Sequence, residues 1–72
     1  MRIHYNLSGA ARKALVTAIS EELNSPAHYR GAPTFAYEVG GYQIDKTGTL
    51  EGVDNPGLVA DLLGLHDFKA EQ

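Results

Sequence analysis

Along this chain apolar and polar positions alternate, then recur at helical spacing, then alternate again. From Met1 to Asn6, Ile3 and Tyr5 interleave with Arg2, His4 and Asn6. A period of two gives an extended segment one apolar and one polar face, so the stretch predicts a strand. Beyond Ser8 the spacing lengthens, and Ala11, Ala14, Leu15, Ala18, Ile19 and Leu23 gather on one helical stripe. Arg12, Lys13, Ser20 and Glu21 fall mostly on the other side. Ser8 is placed to accept an early backbone N–H as the N-cap, and alanine favours the helix. Asn24-Ser25-Pro26 ends it, because proline cannot continue the ladder and restricts the residue before it. The predicted helix runs from Ser8 to Leu23.

Alternation then returns. Ala27 to Arg30 is a weak strand candidate, and Gly31-Ala32-Pro33 interrupts it as a bend or an edge. Thr34 to Val39 is the best strand pattern, with Phe35, Tyr37 and Val39 on one face. Gly40-Gly41 is a two-residue hairpin signal. Tyr42 to Asp45 returns antiparallel. Asp45-Lys46-Thr47-Gly48 reads as a second turn, with Asp first and Gly last as a type I turn prefers. Thr49 to Val53 completes a three-stranded meander.

Asn55 and Pro56 then form a helix start, cap followed by first-turn proline. Leu58, Val59, Leu62 and Leu63 supply its apolar stripe, and Gly64 is placed to end it, with Leu65 making the contact that follows. The order is β-α-β-β-β-α, an α+β fold with two helices packed on one face of an antiparallel sheet. Residues 1–68 form one domain, with Phe68 packing back, and 69–72 a C-terminal tail. A helix separates the first strand from the second, so a tight turn cannot pair them. A parallel pairing through a right-handed crossover is the expectation.

Composition narrows the classes of function. At 72 residues the chain holds one small domain. Such a chain buries only about 60% of its unfolded surface, which leaves little room for a deep active site. It has no cysteine, so disulfide scaffolds, thiolate zinc sites and cysteine nucleophiles are excluded. An uncrosslinked small domain suits a reducing cytosol, and a cytoplasmic location is expected. No apolar run approaches the roughly 18 residues of a membrane span, and no signal-peptide pattern opens the chain. A net charge of −3 disfavours nucleic acid as a partner.

Candidate chemistry mostly dissolves on inspection. Asp45-Lys46-Thr47-Gly48-Thr49-Leu50 matches, letter for letter, the aspartyl-phosphate motif of P-type ATPases. That chemistry also needs Mg²⁺, further carboxylates, a phosphate-gripping lysine and a nucleotide domain, which 72 residues do not hold. A hairpin turn accounts for the same letters. His4, His28 and His66 match no metal-ligand spacing, with or without Asp61 and Asp67. Ser8, Ser20 and Ser25 lack the G-x-S-x-G elbow of a serine nucleophile. Gly40-Gly41 precedes a strand and not a helix, so it lacks the helix N-terminus of a phosphate loop. Catalytic, cofactor and metal residues are therefore expected to be none. Basic residues are scattered, although Tyr29, Tyr37 and Tyr42 on a small sheet offer a base-stacking surface in principle.

The aromatics are the richer signal. Two helices cover one face of a sheet only, so tyrosines on the other face or on an open edge would anchor a partner or a second copy. Equally, each ring packs in the core with only its hydroxyl wet. Tyr29, Arg30, Tyr37 and Tyr42 are the candidate interaction residues.

The chain also resembles a family of short "virulence-related" proteins encoded on prophages and conjugative elements of Gram-positive bacteria. The resemblance runs from Met1 to about Phe68. It rests on Ile3-His4-Tyr5-Asn6, on Arg12-Lys13-x-Leu15-Val16-x-Ala18-Ile19, and on the run from Tyr29-Arg30-Gly31-Ala32-Pro33 through Tyr37-Glu38-Val39-Gly40-Gly41-Tyr42. It continues through Ile44-Asp45-Lys46-x-Gly48-Thr49 and Asp54-Asn55-x-x-Leu58-Val59-Ala60-Asp61-Leu62 to Gly64-Leu65-His66-Asp67-Phe68. It implies a mobile-element context and brings no catalytic residues with it. In longer relatives the region looks like an N-terminal module ahead of other segments, including amidoligase-type enzymes. The expected function is a non-enzymatic protein-interaction module, modulating a host defence protein in one version, with homo-oligomerisation open. The alternatives are a nucleic-acid-binding accessory protein and an accessory module of a larger amidoligase-type enzyme.

Overall fold

The computed structural model describes residues 1–71; Gln72, the last residue of the expected tail, lies outside them. Strand β1 is Arg2–His4, helix α1 Gly9–Leu23, β2 Ala27–Tyr29, β3 Tyr37–Val39, β4 Tyr42–Ile44, β5 Thr49–Glu51 and α2 Pro56–His66. The order follows the expected one, with the weak candidate after α1 realised as β2.

The five strands form one sheet in the order β1-β5-β4-β3-β2, antiparallel throughout. The parallel crossover expected for the first strand is corrected: β1 pairs antiparallel with β5, Ile3 opposite Leu50. Strand direction alternates through the meander, so β5 returns against β1. Helix α1 carries the chain from one sheet edge to the other. Its 15 residues reach about 22 Å at 1.5 Å per residue. Four strand spacings need about 19 Å, so the lengths match.

Registers fix the faces. Ile3, Leu50, Ile44, Tyr37 and Tyr29 are successive partners across the sheet and share one side. Leu15, Val16 and Ile19 of α1 and Leu58 and Leu62 of α2 join Val39, Tyr42, Ile44 and Leu50 in one buried cluster. Both helices therefore cover the same face. On the other face Arg2, His4, His28, Glu38, Gln43 and Glu51 are exposed. Glu22 and His66 meet at 3.0 Å and join the two helices.

Local signals largely act as read. Asn55 accepts from Leu58 N–H at 3.1 Å, with Pro56 opening α2. Gly40 and Gly41 take φ of 52° and 88° between Val39 and Tyr42. Asn24, left-handed at φ 50°, closes α1. Four details differ. Ser8 precedes α1 but its side chain makes no capping bond. Helix α2 runs through Gly64 to His66, and left-handed Asp67 ends it. Phe68, not Leu65, packs against the core after it; Leu65 is 70% exposed. The strand expected from Thr34 begins only at Tyr37, because residues 32–35 form a turn in which Phe35 N–H bonds the Gly31 carbonyl at 2.7 Å.

Candidate functional site

The four candidate residues divide among three places. Tyr29 and Tyr37 face each other across β2 and β3, with ring centroids 4.9 Å apart and planes tilted by 49°. Tyr29 is 54% exposed. Arg30 leaves on the opposite face, where its guanidinium pairs with Glu38 at 2.8 Å. Tyr42 is corrected from anchor to core: it is 5% exposed, and Gly52 lies so close that a Cβ there would stand 2.3 Å from its ring. Its aromatic body outweighs its single hydroxyl, so the ring fills the sheet–helix interior.

Two residues not singled out beforehand complete the aromatic end. Arg12 lies on the sheet-facing side of α1, half-buried, with its guanidinium 4.9 Å from the Tyr37 centroid. Stacking on a ring face suits a guanidinium, and the alkyl stem tolerates burial. Its Nη1 donates to the Phe35 carbonyl at 2.9 Å and the Asp45 carbonyl at 3.2 Å. Arg12 thereby fastens α1, the 31–35 turn and the end of β4 together. A signal existed: Arg12 precedes Leu15, Val16, Ile19 and Leu23 at helical spacing, on the buried stripe.

Phe35 was expected on the core face of a strand. It is instead 42% exposed, with φ of 55°. A left-handed φ is costly for a bulky residue, by about 1–3 kcal/mol, and persists only where its surroundings enforce it. Here the Gly31 and Arg12 bonds grip the Phe35 peptide on both sides. The turn holds an aromatic ring partly in solvent.

The backbone of β2 completes the picture. Arg30 N–H donates to the Ala36 carbonyl at 2.8 Å, and antiparallel ladders alternate. His28 is thereby bonded to Glu38, and the N–H and C=O of Ala27 and Tyr29 point away from β3. Among the described residues these outward groups have no hydrogen-bond partner. All three β2 residues are exposed.

The ATPase-like hexapeptide is a turn within the meander. Gly48 N–H bonds the Asp45 carbonyl at 3.0 Å, with Gly48 at φ 83°. A Cβ on Gly48 would stand 2.7 Å from the Leu7 nitrogen, so glycine is required. Burial pushes the Asp45 carboxyl up. Bonds from Thr49 N–H, the Thr47 hydroxyl and Thr47 N–H, helped by the Arg2 charge, outweigh it and hold it below its ordinary value. A carboxylate with this many donors is a structural brace. Of the histidines, His4 Nδ1 lies 3.1 Å from Thr49 Oγ1, His66 meets Glu22, and His28 is exposed. Among the described residues no three His, Asp or Glu side chains gather as a metal site.

No protein-family model, curated protein or solved structure matches the chain. Among the described residues, no helix is long and apolar enough to cross a membrane.

Proposed function

We propose that this chain is a non-enzymatic protein-interaction module that takes a partner's extended segment onto the β2 edge. One observation carries the reading: an unpaired strand edge that presents the half-exposed Tyr29, stacked on Tyr37. Strand addition draws affinity from backbone bonds and specificity from side-chain contacts beside them. The outward groups of Ala27 and Tyr29 supply the bonds, and the Tyr29 ring with Arg12-braced Tyr37 supplies the contacts. Aromatic and arginine side chains are also the usual anchors of interfaces.

The uncovered sheet face supports a protein partner over a nucleic acid. It carries Arg2, His4, His28, Glu38, Gln43 and Glu51, of mixed sign and with no aromatic among them. A stacking platform needs rings and a cationic track. The resemblance to mobile-element proteins supports a host protein as the partner and the cytoplasm as the place.

The test compares capture of host proteins by the wild-type chain, by Ala27→Pro and by Tyr29→Ser. Proline at position 27 removes an outward N–H without breaking the bonds to β3. The expected result is one specific partner held by wild type and lost by both variants. Equal capture by all three would overturn the edge reading. Retardation of DNA at low salt would favour the nucleic-acid alternative instead.

A further inference from the structure

The registers at the β2 edge decide on which side each residue of a docked segment falls. Residues directly opposite each other on neighbouring strands share a face. Ala27 and Tyr29 stand opposite Val39 and Tyr37 on the helix-covered face, while His28 stands opposite Glu38 on the open one. Helix α1 packs against both β2 and β3. An added strand therefore turns the residues opposite Ala27 and Tyr29 toward the rim of the core. The residue between them turns toward the polar face.

The two inward positions differ. Tyr29 leans on Tyr37, away from the edge, and is half-exposed, so its ring keeps a free side for a neighbour. Ala27 is exposed and offers only a methyl beside buried Val39, which leaves room for a large side chain on the next strand. A ring opposite Ala27 also comes within diagonal reach of Tyr29. On the polar face His28 lies beside the Arg30–Glu38 pair, which an apolar side chain would desolvate without replacing any bond. The molecule already holds one segment at its other edge in such an alternating pattern. Phe68 and Ala70 pack against the core, Lys69 and Glu71 are exposed, and Glu71 N–H bonds the His4 carbonyl of β1.

We infer that the β2 edge selects an antiparallel partner segment with an apolar–polar–apolar centre: a β-branched residue opposite Tyr29, a polar residue opposite His28 and an aromatic ring opposite Ala27. Every other pairing in the sheet is antiparallel, the slightly stronger ladder per residue. Aromatic and β-branched side chains also make favourable cross-strand pairs. The inference rests on the open-edge reading above and adds residue classes and a direction to it.

Nuclear magnetic resonance tests it, with the isotope-labelled full chain titrated to millimolar peptide. The peptide Thr-Val-Thr-Phe-Thr carries the pattern; Thr-Val-Phe-Thr-Thr has the same composition with its apolar residues on opposite faces. The first is expected to bind about tenfold tighter, moving the amide signals of Ala27 and Tyr29 more than those of His28 and Arg30. In an antiparallel pair the Val and Phe N–H groups point at β2 and the central Thr N–H points away. N-methylation of Val or Phe should therefore weaken binding about tenfold or more, and N-methylation of the central Thr should leave it unchanged. Equal binding of the two peptides at these amides would overturn the inference and leave the open edge standing. The reverse methylation pattern would overturn it by showing a parallel strand, and so would the absence of any shift at Ala27 and Tyr29. Failure of the open-edge reading itself is read separately, as host-protein capture that survives Ala27→Pro.

Discussion

The two edges of the sheet are managed differently. At β1 the chain covers the His4 end of the edge, while among the described residues the outward N–H and C=O of Arg2 have no hydrogen-bond partner. Glu71 N–H donates to the His4 carbonyl at 2.6 Å, and the Asn6 amide donates to the Glu71 carboxylate at 3.0 Å. Phe68 and Ala70 pack against the core beneath. At β2 nothing of the kind occurs among the described residues, and an aromatic pair stands beside the bare backbone. Open edges are a hazard that folded chains usually blunt. Strand β2 is limited to three residues, bounded by Pro26 and the Gly31-Ala32-Pro33 turn. So short an edge is a poor template for indiscriminate pairing and still long enough for one chosen segment. The difference teaches where to look for function: at the edge the fold leaves unfinished.

The comparison rests on a stable centre from which both edges depend. Tyr42→Ala should do the most damage, about 3–5 kcal/mol for a lost core ring. A domain of this size has about that much stability in all, so urea melts should show an unfolded chain. A folded Tyr42→Ala protein would move the ring to the surface and blur the distinction between centre and edge. Gly52→Ala should follow, at about 1–3 kcal/mol, because its Cβ collides with the Tyr42 ring. Thermal melts of Gly52→Ala compared with Gly52→Ala/Tyr42→Phe would show whether the ring body, common to both, is the obstacle; the losses should be similar.

Asp45 bears on the β1 side, where its turn meets Leu7. Its folded pKa is lowered, so its stabilisation is fully present above the ordinary carboxylate value of about 3.9 and is lost as pH falls through the folded value. Asp45→Asn should therefore flatten the acid limb of the stability–pH curve while leaving β2 untouched. An unchanged acid limb would mean that the brace is idle. At the other end of the scale, Tyr29→Ser should change stability by only about 0.5 kcal/mol or less, because the ring is half in solvent. A loss of several kcal/mol would make Tyr29 a core residue and remove it as an anchor.

What the sequence discloses follows the range of the interactions. Gly40-Gly41, Asp45 to Gly48 and Asn55-Pro56 were legible because each fixes its own neighbourhood. The partner of β1 was not, since Ile3 and Leu50 are far apart in sequence and their pairing depends on the whole meander. Phe35 misled because a strand pattern assumes extended backbone throughout, and one left-handed residue breaks the alternation. Arg12 was assigned to solvent by its charge, although its stem and guanidinium suit a half-buried place over a ring. Tyr42 and Tyr29 are the same residue type at similar strand positions. Only sheet order separates them, with Tyr42 on a central strand and Tyr29 at the rim, and sheet order is a property of the fold.

The central claim is that the β2 edge stands open. Amide hydrogen exchange of the free protein, read residue by residue, tests it most directly. The account predicts slow exchange at His28 and Arg30, whose N–H groups bond β3, and fast exchange at Ala27 and Tyr29, whose N–H groups point outward. Protection of Ala27 and Tyr29 equal to that of His28 would contradict it, because the edge would then already be covered.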